Sequence, residues 1–162
     1  MAIVFPDGTL SAPTKILQVV QTVKTNTFST SSTSFTDITG LSVSITPSST
    51  SSKILVYAGL NIGNDTNFTM LNLVRGSTSI FLVDAAGSRI RATAGWLGDT
   101  NRTEIVAIQY LDSPATTSST TYKMQITCNT GETCYVGRSS ADPDGVPYFR
   151  CPANMIAMEV AG

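Results

Sequence analysis

No histidine occurs anywhere in the 162 residues of this chain. That removes the side chain that most often moves protons near neutral pH, the usual base behind a nucleophilic serine, and the commonest metal ligand. Charge is scarce too. Charged residues make up 13% of the chain, about half of the ~25% of an ordinary soluble domain. The ten Lys and Arg are dispersed, so there is no basic footprint for nucleic acid phosphates. Long apolar runs are missing. The stretch Ile54 to Leu60 falls far short of the ~20 residues that cross a bilayer, and Pro6, Asp7 and Gly8 interrupt the beginning of the chain where a secretory signal would need a continuous apolar core. The expectation is a protein that partners neither nucleic acid nor membrane and is made and used without export.

Cysteine is sparse and odd in number. Cys128, Cys134 and Cys151 do not form the dense, even framework of a secreted disulfide scaffold. Reduced thiols are the default reading, with a bridge between Cys128 and Cys134, across the turn-like segment 129–133, as the alternative. Three thiols without histidine do not make a zinc site, and no cofactor or metal is expected.

Ser and Thr fill the space that charge leaves. From Phe28 to Leu60 they alternate with apolar residues (FSTSSTSFTDITGLSVSITPSSTSSKILVYAGL), the period-2 pattern of strands. Leu41, Val43 and Ile45 are expected inward and Ser42, Ser44 and Thr46 outward. Ile16 to Lys24 carries apolar residues on both parities and reads as a strand buried on both sides. Lys53 to Leu60 reads as a central strand, joined to its predecessor by a Ser/Thr hairpin loop. Further strands are predicted at Phe68 to Arg75, Ser79 to Val83, Glu104 to Leu111, Thr121 to Thr127, Cys134 to Arg138 and Met155 to Val160, with Gly, Asn, Asp, Ser and Pro between them. No segment has the periodicity of an amphipathic helix. The fold class is all-β, a jelly-roll-like sandwich of about 8–10 antiparallel strands over residues 16–162, preceded by an extended N-terminal arm over residues 1–15.

Candidate chemistry is thin. Asp84, Glu104 and Asp112 are the carboxylates from which a glycosidase pair could be drawn, and Asp142-Pro143-Asp144-Gly145 resembles half of a calcium loop but reads better as a turn. The expectation is that the chain is not an enzyme and has no catalytic residues. Trp96, Tyr110, Tyr135, Tyr148 and Phe149 belong to the core or to subunit contacts, or else line a sugar-binding groove. Trp96 and Tyr148 are the residues singled out for receptor or glycan contact. The Asn-x-Thr triplets at Asn64, Asn67 and Asn101 read as turns.

The arm offers the sharper binding hypothesis. Burying Ile3, Val4 and Phe5, with Pro6 behind them, in a partner groove yields roughly 1.5–3 kcal/mol per side chain, against an association cost of about 4–15 kcal/mol. One arm is marginal. Three arms on one trimer bind with avidity raised by roughly 10² to 10⁴. A net charge of −1 offers little repulsion between copies and favours association.

The segments KILQVVQTVKTNTFSTSSTSFTDITGLSVSITPSSTSSKILV, LVRGSTSI, DAAGSR, LDSPATTSSTTYKMQI, VGRSS and MEVAG together resemble a domain of structural proteins from marine and freshwater tailed bacteriophages, of tail-fibre or virion type. The resemblance runs from about Lys15 to Gly162. The rhythm of FTDITGLSVSITPSSTSSKILVYAG followed by LNLVRG is also similar to C1q/TNF-like jelly rolls, which are trimers. What the resemblance implies is a virion protein on the outer surface of the particle, assembled in the host cytoplasm. Its implied partners are two further copies in a homotrimer and other phage virion proteins. Fibre proteins with such a domain carry a long shaft before it, whereas only a short arm precedes the first strand here. A capsid decoration (cement or head-spike) protein bound to the major capsid protein is therefore expected, with a tail-fibre or spike receptor-binding module, bound to tail proteins, as the alternative.

Overall fold

The computed structural model describes residues 15–98 and 101–162, together with the backbone of two short strands in the N-terminal arm. Those strands, β1 (Ile3–Val4) and β2 (Leu10–Ser11), pair antiparallel with each other. The anchor residues Phe5 and Pro6, and the side chains of Ile3 and Val4, lie outside the described residues.

Eleven strands follow: β3 (Ile16–Lys24), β4 (Phe28–Thr30), β5 (Thr36–Ile45), β6 (Lys53–Asn64), β7 (Phe68–Arg75), β8 (Thr78–Ile80), β9 (Ala94–Leu97), β10 (Glu104–Asp112), β11 (Thr120–Cys128), β12 (Cys134–Val136) and β13 (Ala153–Val160). Among the described residues there is no helix. Two antiparallel sheets form a jelly-roll-like sandwich. In the six-stranded sheet β3 pairs β13, and β13 and β12 share one edge of β6. Strand β4 extends β12, while β10 takes the other edge of β6. The five-stranded sheet runs β5, β11, β7, β8, with β9 also on β7. The chain changes sheet repeatedly, and loop 46–52 is one of these crossings rather than a hairpin, since it leaves β5 in one sheet and enters β6 in the other.

Alternation sets which side chains fill the space between the sheets. Ile54, Val56, Ala58, Leu60 and Ile62 of β6 meet Leu41, Val43 and Ile45 of β5, Leu71 and Leu73 of β7, Tyr122, Met124 and Ile126 of β11, and Met155 and Ala157 of β13. The inward positions expected on β5 are all buried. A bulge interrupts this strand opposite Lys123 and Gln125, and Gly40 there has φ +80°, a left-handed conformation that costs glycine least. It shifts the parity so that Ile38 and Leu41, three residues apart, are both buried.

Strand β3 departs from expectation. Its outward-facing side chains are not covered: Ile16, Leu17, Val19 and Val23 are all exposed, Val19 to 57%. The reason is the two-layer architecture. The inner face of the six-stranded sheet packs on the other sheet, and among the described residues no third layer covers its outer face, on which β3 is a marginal strand paired with β13 alone.

Cys128 and Cys134 are bonded to each other with Cα atoms 5.8 Å apart, and Cys151 is a free thiol. The bridge does not span a hairpin. Cys128 closes β11 in one sheet and Cys134 opens β12 in the other, so it ties the two layers together at one end.

Candidate functional site

The most concentrated polar constellation joins the sheets at the Lys53 end of β6. Arg75 at the end of β7 donates from Nη1 to both oxygens of Asp112, at 2.9 Å each, and the Tyr122 hydroxyl donates to Asp112 Oδ2 at 2.6 Å. Tyr122 is fully buried, and desolvation followed by the adjacent Asp112 carboxylate pushes its phenol above the ordinary value. Asp112 and Tyr122 are buried, Arg75 is partly exposed, and the three satisfy one another, which makes the group a structural clasp. Glu104 and Asp112 sit at opposite ends of β10. Eight residues of strand at ~3.3 Å each separate them by about 26 Å, far outside the ~5–9.5 Å that a glycosidase pair requires.

Asp142 is engaged as well. Arg150 Nε donates to its Oδ1 at 3.0 Å and Arg150 Nη2 to its Oδ2, and Arg138 Nε lies within ion-pair distance of the same Oδ2 at 3.8 Å. The hydrogen bond from Arg150 holds the Asp142 carboxyl below the ordinary carboxylate range. Among the described residues no three His, Cys, Asp or Glu converge in a way that could hold a metal ion.

The aromatic residues divide into two groups. Trp96 on β9 packs against the core, Tyr110 stacks on Phe81 with centroids 4.9 Å apart, and Tyr135 is capped by the Arg138 guanidinium at 4.1 Å. Tyr148 and Phe149 remain exposed, on the segment 142–150 whose ends the Asp142–Arg150 pair clamps together. This segment forms an open hoop around about 1030 Å³. A second, smaller cleft of about 190 Å³ is lined by Asn101, Thr103, Ser139, Pro147, Tyr148 and Phe149. Of the two contact residues singled out from the sequence, Tyr148 lines both clefts and Trp96 lines neither.

Among the described residues, the outer face of the six-stranded sheet carries no covering layer. Register aligns its side chains into rows. Val19, Met158, Leu55 and Leu111 lie side by side across β3, β13, β6 and β10, and the adjacent row is Gln21, Ile156, Tyr57 and Gln109. The next is Val23, Asn154, Gly59 and Ala107. Ile105, on the same face of β10, is 75% exposed. Four strands at ~4.8 Å spacing and seven residues at ~3.3 Å outline roughly 400 Å² of mixed surface, in which the one uniformly aliphatic row is Val19, Met158, Leu55 and Leu111. Inward apolar positions were legible as the even members of β6. These outward ones were missed because a residue such as Met158 or Leu55 looks like core until register shows which neighbours it has.

No family model matches the chain, and no curated protein matches it. Among solved structures, a chain in a structure of infectious bursal disease virus, Gx strain, aligns with TM-score 0.41 and 12% identity over 99% of this chain and 44% of that one. A chain in a structure of the Gt strain aligns with TM-score 0.43 and 14% identity over 100% and 42%. This chain thus spans less than half the length of either neighbour.

Proposed function

We propose that this chain is a homotrimeric structural protein of a virion, and within that class a capsid decoration protein that braces the outer surface of the shell. The observation that carries the reading is the apolar row Val19, Met158, Leu55 and Leu111 on an unpartnered sheet face. An exposed apolar patch on a domain of this size is often functional, and closed symmetry is the usual way for identical chains to hide one without forming open filaments. The likeness to C1q/TNF-like jelly rolls favours three copies. The arm residues Ile3, Val4, Phe5 and Pro6 then supply three tethers to the shell, and whatever binds only the assembled lattice stabilises it by mass action.

Native mass determination tests the association, with a species at three times the 17.1 kDa chain mass expected. Met158→Glu, which puts a charge in the middle of the row, should give single copies with an unchanged β-sheet spectrum. A wild-type protein that stays single in dilute buffer refutes the trimer. Removing residues 2–12 should leave the trimer intact and abolish its addition to purified shells; undiminished addition refutes the anchor. Labelling of whole particles separates a head location from a tail location, and label confined to the tail replaces the decoration reading with a receptor-binding one.

A further inference from the structure

We infer that the cleft formed by Asn101, Thr103, Ser139, Pro147, Tyr148 and Phe149 binds the ring of a neutral sugar. This goes beyond the shell-binding reading and needs neither the trimer nor the arm.

The position of the cleft comes first. It lies toward the Asn64 end of β6, where the backbone of residues 138–139 and 102 crosses directly over Gly63. A Cβ at Gly63 would stand 2.7 Å from the Arg138 carbonyl oxygen and 3.2 Å from that of Arg102, so only glycine lets the two segments approach. The apolar row passes through Leu55, eight residues down the same strand, about 26 Å away at ~3.3 Å per residue.

The lining is amphipathic in the way a pyranose is. A sugar ring presents an apolar C–H face and a rim of hydroxyls, and it is held by an aromatic face together with short polar side chains. Tyr148 and Phe149 supply rings that the core has not claimed, exposed to 43% and 60%. Asn101, Thr103 and Ser139 supply an amide and two hydroxyls. None of the six lining residues is charged, so no lining side chain would compensate an acidic sugar. The guanidinium of Arg138, behind Ser139, is taken up by the Ser139 and Ser140 carbonyls and by Asp142, and Arg150 is bound to Asp142 as well. A volume of about 190 Å³ is below the ~300–1,000 Å³ of pockets for drug-sized ligands, which suits one ring.

The polar part of the cleft is held in place from behind. Arg138 Nη1 donates to the carbonyls of Ser139 and Ser140 at 3.1 Å each, and Ser139 Oγ donates to the Ala141 carbonyl at 2.6 Å. Asn101, at φ +64°, donates from its backbone N–H to Ser140 Oγ at 3.1 Å, and Ser140 Oγ returns a bond to Asn101 Oδ1. Groups fixed before a ligand arrives lose less entropy when it binds.

Saturation-transfer NMR on the full chain, with the methyl glycosides of glucose, galactose and mannose as probes and methyl glucuronide and N-acetylneuraminic acid as charged comparators, tests the assignment. At least one neutral glycoside should receive saturation while the charged pair receives little. Tyr148→Ala should weaken that binding roughly tenfold, as expected for losing a stacking face. Asn101→Ala should weaken it too, and urea midpoints within error of wild type would show that both variants fold. No transfer to any neutral glycoside, a preference for the acidic sugars, or equal binding by wild type and both variants overturns the inference. So does the finding that Tyr148→Ala disturbs only association between protein chains, which would make the exposed loop a protein contact.

Discussion

Asp112 is a nearly buried carboxylate whose charge is tolerated because Arg75 and Tyr122 occupy its oxygens. Tyr122→Phe removes one donor without changing the shape of the core. The expected cost is roughly 1.5–3 kcal/mol, the range for a hydrogen bond to a charged group, read as a lower urea midpoint; an unchanged midpoint would show that Arg75 alone suffices. Glu159 is a second buried carboxylate. Its Oε1 accepts from the Ser48 amide and the Ser48 hydroxyl, both at 2.6 Å, and the bonds from Ser48, the hydroxyl first, lower its pKa below the ordinary value. Between the folded and unfolded pKa values the unfolded chain holds the proton and the native one does not, so stability rises with pH there. The contribution is complete above the ordinary glutamate value near 4.5 and fades as pH falls through the folded one. Glu159→Gln should flatten that acid limb in a series of urea titrations and leave its slope elsewhere unaltered. Neither carboxylate was legible as a structural group. Ser48 stands 111 residues from Glu159, and only the fold brings them together.

At the scale of elements, period-2 alternation read correctly wherever one face of a strand is covered by the opposite sheet. Strands β3 and β7 have the bounds expected from sequence, and β6 is central as read, running four residues further to Asn64. Alternation failed where the neighbour decides. The sequence ILQVVQTVK of β3 looks fit for burial on both faces, and one face is bare because, among the described residues, no layer covers the outer side of its sheet. β9 was missed because four residues carry too little pattern to detect and its pairing with β7 is tertiary in origin, whereas β4 takes a sheet edge within the alternating Ser/Thr stretch that begins at Phe28. The Cys128–Cys134 bond joins elements of different sheets through a short loop. By chain entropy, closing so small a loop contributes roughly 2 kcal/mol. Adding a reductant to the unfolding buffer should lower the urea midpoint accordingly, and Cys151→Ser should leave that shift in place. No shift on reduction would mean that packing alone holds the two layers at that end.

Over the whole molecule, topology sorts the binding candidates onto two ends. The arm joins the sandwich at Ile16, beside Val160 and Lys53, whereas the exposed loop and the cleft under it belong to the half of β6 that ends at Asn64. Composition suggests a chain inclined to associate but points to no face for it, because the apolar row proposed for that role is written in no contiguous stretch. Val19, Leu55, Leu111 and Met158 are scattered over most of the sequence and become neighbours only when four strands have found their register. For the proposed trimer this sets an order of events: a half-formed polypeptide has no such stripe to offer, so association through it would come after folding, as a late step whose rate depends on concentration.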